Sequence, residues 1–502
     1  MLLTAYVLDI NHDFVAMHPS DAADLGIKWR EKVEVTDPNG NNPRFLSLFI
    51  YDPREERGYL GIGEKVAKSM NISTGDKVNV NPRKRPKSID AILKKMNGGK
   101  LNAEETESII HDMTHGILTD REIAPYVTAV YINKMDMDEI ESLTRSMVNS
   151  GEQLTFKRKP VVDKHSIGGV PGNKISLLVV PIIGAANQLI PKTCSRAITG
   201  AGGTADLMEA LAPVSFTARE IETMVNKAGA VIVWGGATNI APADDIIIQY
   251  EYPFKIDARG QMLASIMSKK KAVGSEICVI DLPTGPGTKV PTIEDGKILA
   301  GQLIDLGKRL GMKVECAITD GSAPIGRDIG VNLEVAEALR ILEQKDGVGP
   351  LIEKSCSIAG IALEMAGVAS AGSGYDAAMS LIRNGKAWKK MQDIIEIQGG
   401  DSKIKAADLP AGDFKYEVPA PTDGYISSIT NRPIIDIARA AGSPFDHGAG
   451  IHINKMVGER VMKGDVLYTI YAEKEWKLTE AIKIAEETKP LNLSSMLVKR
   501  IQ

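Results

Sequence analysis

Short apolar runs separated by turn-forming residues occupy the first 84 positions of the chain. The runs are rich in β-branched and aromatic side chains and lie at residues 5–9, 32–36, 45–50 and 78–80. Gly, Pro, Asn and Asp cluster between them, which is typical of short strands joined by tight turns. The pattern predicts a small β-rich domain over residues 1–84.

Helix-start signals replace this alternation over residues 85–152. Asn102, Thr119 and Asp136 each stand three positions before a glutamate. This is the spacing of the capping box, in which the two side chains satisfy free backbone N–H groups at a helix start. The spacing predicts three amphipathic helices in a helical domain, which we expect a segment at about 243–271 to join.

From residue 153 onward, apolar runs alternate with glycine-rich turns and helical segments. The runs lie at residues 175–183, 230–234, 275–282 and 313–319, and we interpret them as buried strands. Such alternation is typical of an α/β domain with a largely buried sheet, which we predict over residues 153–415. A turn-rich stretch then predicts a C-terminal α+β domain over 416–502, with a final helix around 477–487.

The composition is that of a globular protein without a nucleic-acid or membrane partner. Hydrophobic residues make up 43% and charged residues 25%, with a formal net charge of -4, which is ordinary for a globular multi-domain α/β protein. The 60 basic and 64 acidic residues leave no basic excess, so we expect no nucleic-acid partner. The N-terminus lacks the basic region of a signal peptide, and the longest apolar run is shorter than the roughly 20 residues of a membrane span. We therefore expect a cytoplasmic protein with no membrane partner.

The segment over residues 163–176 has the composition of an anion-binding loop. It reads Asp-Lys-His-Ser-Ile-Gly-Gly-Val-Pro-Gly-Asn-Lys-Ile-Ser. Its glycines allow backbone N–H groups to turn towards an anion, and Lys164, Ser166, Lys174 and Ser176 offer ammonium and hydroxyl donors. Glycine clusters also occur in ordinary loops, but the coupling to four such donors favours a phosphate site.

Three further segments carry polar groups. The loop from Cys194 to Asp206 leads into a helical stretch, and Thr204 could cap that helix beside a bound anion. Ser265 and Lys269 share one face of a predicted helix. A glycine-rich turn over residues 319–330 precedes another helix. Each segment also fits a structural role, but two glycine-rich loops in one sheet domain favour an oxyanion site.

These segments together resemble the thymidine phosphorylase, or pyrimidine nucleoside phosphorylase, family. The ordered motifs that match are Asp163-Lys-His-Ser-Ile-Gly-Gly169, Ser195 through Asp206, Ala241-Pro-Ala-Asp244, Ala264-Ser-Ile-Met-Ser-Lys-Lys270, and Thr319-Asp320 with Gly326-Arg327 and Gly330. The match runs over about residues 85 to 500. The resemblance implies a pentosyltransferase whose large α/β domain binds phosphate, which acts as a co-substrate, with no further cofactor.

One departure bears on the substrate. Where the pyrimidine-specific members carry Tyr-Ala-Leu-Arg-Asp, this chain reads Tyr250-Glu-Tyr-Pro-Phe-Lys-Ile-Asp257, without the arginine that grips the base. With the extra N-terminal domain and a Ser195-Arg-Ala-Ile-Thr199 loop, the chain resembles the branch that acts on nucleoside 5′-monophosphates. The resemblance implies AMP and phosphate as substrates, adenine and ribose 1,5-bisphosphate as products, activity on CMP and UMP, and a homodimer or larger homo-oligomer.

The resemblance also implies roles for individual residues. The phosphate-binding positions are Lys164, Ser166, Ser176, Ser195 and Thr204. The substrate-binding positions are Gly169, Ser195, Arg196, Ala197, Ile198, Thr199, Gly200, Thr204, Ser265, Lys269 and Lys289. The proton donor is Asp257, whose pKa must then lie well above the ordinary value of about 3.9, and His165 is the alternative acid.

No metal site is expected. The four cysteines lie far apart, and His447 and His452 are interpreted as surface or turn residues, because two ligands without a third rarely make a metal site. Three other functions stay open at this point. They are a thymidine or uridine phosphorylase, a phosphoribosyltransferase of the anthranilate type that needs pyrophosphate and Mg²⁺, and a non-catalytic nucleotide-sensing protein.

Overall fold

A computed structural model describes residues 1–10, 13–37, 39–50, 57–197, 200–254, 256, 258–345 and 349–495. The strands are β1 (Leu2–Leu8), β2 (Phe14–Met17), β3 (Lys32–Thr36), β4 (Arg44–Ile50), β5 (Tyr59–Gly63), β6 (Lys77–Pro82), β7 (Val162–Ser166), β8 (Ile190–Cys194), β9 (Ala230–Trp234), β10 (Ile277–Thr284), β11 (Lys313–Asp320), β12 (Asp328–Ile329), β13 (Phe414–Pro419), β14 (Gly424–Ile429), β15 (Gly450–Ile453), β16 (Arg460–Val461), β17 (Val466–Ala472) and β18 (Leu491–Ser494).

The α-helices are α1 (Pro19–Asp24), α2 (Glu64–Met70), α3 (Ser88–Met96), α4 (Ala103–Thr114), α5 (Asp120–Asn133), α6 (Met137–Asn149), α7 (Ser176–Ala185), α8 (Thr204–Glu209), α9 (Ala218–Ala228), α10 (Pro242–Glu251), α11 (Arg259–Ala272), α12 (Ile293–Arg309), α13 (Val331–Leu342), α14 (Gly349–Met365), α15 (Gly374–Arg383), α16 (Lys386–Ile397), α17 (Asn431–Ala441) and α18 (Glu475–Thr488). The chain forms two compact units, one from Met1–Gly151 with Ala241–Ser268 and one from Glu152–Ile240 with Lys269–Gln502.

The first unit begins with a closed six-stranded barrel in the order β1-β5-β2-β4-β3-β6. Alternate side chains of its strands fill the barrel, as Val33 and Val35 of β3 do, and both are fully buried. The sequence predicted four of the strands and missed β2 and β5. The predicted small β domain is confirmed.

The helical part of this unit begins with α3 to α6. The capping boxes predicted at Asn102, Thr119 and Asp136 are present at the starts of α4, α5 and α6. Helix α3 was not predicted because its start has no side-chain cap. A buried ion pair of 2.6 Å between Lys95 and Glu139 joins α3 to α6. Helix α10 packs against α4 and α5 in the same unit.

The second unit contains a parallel sheet. Strands β11, β10 and β7 lie in that order, and β8 pairs in parallel with β9. A parallel bridge between Val161 and Leu189 joins the two groups. The carboxyl ends of all five strands therefore point to the same edge, and the loops that carry the predicted phosphate residues leave from this edge.

One predicted strand is wrong. The run over residues 175–183 lies mostly in helix α7 (Ser176–Ala185), which is buried along nearly its whole length and packs against α14, α16 and β9. The uninterrupted apolar residues over 177–183 show neither the period of a strand nor that of a helix, so the pattern could not distinguish the two. None of the helices in the described ranges combines the length and the apolar character that a membrane crossing requires.

The C-terminal part of the second unit is α+β, as predicted. It has a four-stranded sheet, β12-β15-β17-β13, and a three-stranded sheet, β16-β14-β18. Helices α17 and α18 cover a separate core that includes Ile434, Ile451 and Ile470. The short strand β12 belongs to the segment between β11 and α13, so its antiparallel pairing with β15 ties the C-terminal domain to the α/β domain.

Candidate active site

The predicted phosphate residues lie where neighbouring parallel strands end. Strand β7 ends at Ser166, and the register of β7 and β10 places Ser166 directly beside Asp281. Thr319 is near the end of β11, on the other side of β10. The carboxyl edge of a parallel sheet is where α/β proteins generally bind ligands.

Asp281 is the centre of a hydrogen-bond network at this edge. The Lys164 ammonium donates to Ser166 Oγ at 2.8 Å, and Ser166 donates to Asp281 Oδ2 at 2.8 Å. Thr319 donates to Asp281 Oδ1 at 2.5 Å, and the Lys354 ammonium lies 3.0 Å from Oδ2. The hydroxyl hydrogen of Ser166 is therefore already used by Asp281, while its oxygen accepts from Lys164.

A second buried carboxylate, Asp163, lies on β7, three residues before Ser166. It accepts a hydrogen bond from the Lys270 ammonium at 2.6 Å and from the Lys164 amide at 2.7 Å. The Lys192 ammonium lies 3.7 Å from it. We call Lys164, Lys192, Lys270 and Lys354, with Asp163 and Asp281, the lysine cluster, and all six residues are buried.

Burial and mutual repulsion change the protonation of the lysine cluster. Burial, helped by the charge of Lys192, lowers the pKa of Lys164 to about 7. Burial, helped by Lys270, lowers the pKa of Lys192 to about 8. Lys270 differs because Asp163 outweighs the effect of burial and raises its pKa. A bound anion would favour the charged form of every one of these amines.

His165 lies among these amines. Burial and the positive charges of Lys270 and Lys192 lower the pKa of His165 well below its ordinary value. The imidazole is therefore neutral at pH 7 in the free protein, so its ring is not in the form that donates a proton most easily. Asp257, the predicted acid, lies outside the described residues.

Two of the predicted substrate positions lie next to each other. Gly169 has a φ of +111°, and a Cβ at this residue would lie 3.4 Å from the amide nitrogen of Lys289. The loop after β7 and the loop after β10 therefore meet here, and the positive φ favours glycine. Ser176 is the first residue of α7 and is buried, whereas Lys289 is exposed.

The second glycine-rich loop is closed by a carboxylate. Asp206 accepts hydrogen bonds from the amides of Gly203 and Ala197, at 2.9 and 2.7 Å. The N-cap of α8 is Gly203, and Thr204 is the first helical residue, which corrects the expectation that Thr204 caps the helix. Ser195, at the start of the loop, is exposed.

Arg196 is held by structural contacts on the same loop. Its guanidinium pairs with Asp206 at 3.2 Å and with Glu209, and it lies 4.8 Å from the centre of the Trp234 ring. Gly200 accepts a hydrogen bond at its carbonyl from Arg439 of α17, at 3.0 Å. Ile198 and Thr199 lie outside the described residues.

Lys174 is a structural residue, although its position in the first loop predicted a phosphate donor. Its ammonium is fully buried, pairs with Glu337, and donates to the carbonyl of Asp328 at 2.8 Å. These contacts tie the loop after β7 to β12 and α13. The sequence pattern could not show this, because Lys174 and Glu337 are 163 residues apart.

The remaining predicted positions lie on α11. Ser265 is half-buried and belongs to the first unit, and Lys269 is half-buried and belongs to the second. His452, predicted to be a surface or turn residue, instead lies on β15 and hydrogen-bonds to Asp328 at 2.6 Å. Among the described residues, no three His, Cys, Asp or Glu side chains are grouped so that they could hold a metal ion.

The chain matches three family models. Residues 89–151 match the helical bundle domain of a glycosyl transferase family, and residues 158–388 match the α/β domain of that family. Residues 425–492 match the pyrimidine nucleoside phosphorylase C-terminal domain. An anthranilate phosphoribosyltransferase from Thermus thermophilus has a similar fold, with a TM-score of 0.52 and 19% identity over 62% of this chain and 99% of its own.

Curated relatives extend this similarity to the whole chain. An AMP phosphorylase from Methanocorpusculum labreanum is 56% identical over 100% of this chain and 99% of its own length. The AMP phosphorylases of Methanospirillum hungatei and Methanococcoides burtonii are 49% and 48% identical, over 100% and 97% of this chain and 97% and 96% of their own lengths. The chain therefore belongs to the pyrimidine nucleoside phosphorylase family of glycosyl transferases, in the group of the AMP phosphorylases.

Proposed function

We propose that this protein catalyses the phosphorolysis of AMP, with adenine and ribose 1,5-bisphosphate as products. The full-length similarity to AMP phosphorylases supports the substrate. The observation that carries the chemistry is the lysine cluster, in which four buried lysine amines face two buried carboxylates on β7 and β10. A bound anion would stabilise the charged form of these amines, so the cluster is suited to an anionic substrate.

The reaction exchanges one bond at C1′ of the ribose. A phosphate oxygen forms a bond to C1′ as the bond from C1′ to the base nitrogen breaks, and the electron pair of that bond goes to adenine. The transition state is positive on the sugar and negative on the base. An enzyme accelerates this step by holding phosphate in line and by protonating the departing base.

The residues divide between these tasks. Lys164, Ser166, Ser176, Ser195 and Thr204 hold the attacking phosphate and the 5′-phosphate. The loop over residues 195–200, with Gly169, Ser265, Lys269 and Lys289, holds the nucleotide. Asp257 protonates adenine, and His165 is the alternative acid. Inorganic phosphate is a co-substrate, and we propose no further cofactor, CMP and UMP as additional substrates, and a homo-oligomer.

A substrate panel tests the proposal. The purified protein is incubated with phosphate and each of AMP, CMP, UMP, adenosine and thymidine, and the sugar product is identified by mass spectrometry. We expect ribose 1,5-bisphosphate from AMP, unchanged when a chelator is added, and little product from adenosine. Release of ribose 1-phosphate from adenosine or thymidine, with AMP left intact, contradicts the proposal.

A further inference from the structure

Lys354 contributes an ammonium group to the candidate phosphate site from a helix that no motif marks. It lies on α14, which packs against β10, and only 7% of its side chain is exposed. Its ammonium is 3.0 Å from Asp281 Oδ2, and with three N–H donors it keeps donor capacity beyond this one contact. A buried ammonium with donor capacity left over is costly unless a ligand uses it.

Lys354 and Lys164 approach the same point from two sides. Lys164 donates to Ser166 Oγ, and Ser166 donates to the same Asp281 oxygen that Lys354 faces. One hydroxyl and one carboxylate oxygen therefore link the two ammonium groups in a chain of polar contacts. Asp281 faces both amines, so a bound anion beside the last residue of β7 would supply the further negative charge that two ammonium groups at this point need.

The electrostatics agree with this geometry. Burial lowers the pKa of Lys354, although the charges of Asp281 and Asp320 act in the opposite direction. Lys354 is also one of the charges that depress the pKa of Lys164. Both amines thus bear a cost that an inorganic phosphate would relieve, since its oxygens accept charge-assisted hydrogen bonds.

We propose that Lys354 binds the attacking inorganic phosphate together with Lys164, and that Asp281 is the positioning residue that holds Lys354 and Ser166 beside it. This inference rests on the proposed phosphorolysis. It adds a binding residue that lies far beyond Lys164 in the chain and outside every recognised motif.

Direct binding of inorganic phosphate, measured by calorimetry without AMP, tests the proposal. The variant Lys354→Met removes the ammonium, and Lys354→Gln removes the charge but keeps a polar group beside Asp281 if the first variant folds poorly. We expect the Kd for phosphate to rise about tenfold or more in either variant, as for the loss of one charge-assisted hydrogen bond. In turnover, the KM for phosphate should rise much more than the KM for AMP.

Thr319→Val is the matched control, because it removes a different partner of Asp281 without removing a positive charge. A Kd within about threefold of the wild-type value is expected for this variant. Wild-type phosphate affinity in both Lys354 variants overturns the proposal. An equal loss in Thr319→Val also overturns it, because Lys354 would then act only by holding Asp281. Because binding is measured without AMP, a wrong nucleotide assignment does not affect the outcome.

Discussion

His165 illustrates how single charges at this site decide which side chain can carry a proton. Burial lowers the pKa of His165, and the positive charges of Lys270 and Lys192 lower it further, because a charged imidazole beside them would be repelled. The sequence predicted His165 as a candidate from its position next to Lys164, but local spacing says nothing about the amines that Lys192 and Lys270 bring to it. The neutral imidazole strengthens the case for Asp257 as the proton donor.

Replacement of the two candidate acids separates their roles. Asp257→Asn keeps the size of the side chain but removes its transferable proton, so kcat for AMP should fall by roughly 10²–10⁴-fold with KM near normal. His165→Asn should lower kcat less, because it would only disturb packing in the loop. Steady-state kinetics over a range of pH measures both. The opposite result would assign the acid to the histidine. In that case His165→Asn would have no activity, and Asp257→Asn would stay active with an unchanged pH profile.

At the scale of elements, the loop after β8 is shaped by contacts from both of its ends and from the C-terminal domain. Asp206 of α8 accepts hydrogen bonds from two of its amides. Arg439 of α17 donates to Gly200 O, and Ser443, just after α17, donates to Ala201 O at 2.7 Å. The sequence predicted a glycine-rich loop that leads into a helix. It could not predict the contacts from the C-terminal domain, because Ala201 and Ser443 are 242 residues apart.

Gly203→Ala tests how tightly this loop must close. A Cβ at Gly203 would lie 2.5 Å from both the amide nitrogen of Ala197 and the carbonyl carbon of Arg196. Backbone atoms cannot move aside as a flexible side chain can, so the loop must open. We expect the KM for AMP to rise at least about tenfold, with a loss of stability of about 1–3 kcal/mol.

Gly301→Ala on α12 serves as the control for this substitution, since no atom lies within 4 Å of the added Cβ. Alanine favours a helix interior by about 1 kcal/mol, so this variant should be slightly more stable and equally active. Thermal unfolding and AMP kinetics measure both variants. Wild-type kinetics in Gly203→Ala would show that the closed loop is not needed for nucleotide binding.

At the scale of the whole molecule, the second unit is held together by contacts between its α/β and C-terminal domains. Asp328 of β12 is central, because its buried carboxylate binds His452 of β15 and Arg340 of α13. Burial alone would raise the pKa of Asp328, but the hydrogen bond from His452 and the nearby positive charges lower it below its ordinary value. The ionised carboxylate therefore stabilises the folded unit.

Asp328→Asn should show this contribution and its pH dependence. A carboxyl group whose pKa is lower in the folded state stabilises it above the unfolded pKa of about 3.9, and the contribution is lost as the pH falls through the folded pKa. We expect the variant to be about 1–3 kcal/mol less stable near pH 7, because both partners are partly exposed, and the difference to shrink below about pH 4. Urea unfolding at several pH values measures it.

The exposed pair of Asp436 with Arg432 on α17 provides the control for Asp328→Asn. Asp436→Asn should change the stability by no more than about 0.5 kcal/mol at any of these pH values. Two results would show that the carboxylate does not join the two domains electrostatically. One is a loss of unfolding free energy in Asp328→Asn no larger than in the control, and the other is a loss that stays the same at low pH.

The sequence by itself determined the features whose signals are local. A capping box needs only two side chains three positions apart, and a half-buried strand needs only alternation over a few residues, so the helix starts at Asn102, Thr119 and Asp136 and the strand β3 could be predicted. The ordered motifs also sufficed for the family and for the two glycine-rich loops, because backbone freedom and phosphate donors occur together within about a dozen residues.

Only the tertiary structure decided what each donor in those loops contacts. Lys164 and Lys174 look alike in sequence, yet one meets Ser166 at the strand edge and the other is paired with Glu337 away from it. Likewise Asp281 lies 115 residues from Ser166, so neither it nor Lys354 could be found from spacing. The physical reason is that the protonation and the free donors of a buried amine depend on the charges packed around it, and packing brings those charges from distant parts of the chain.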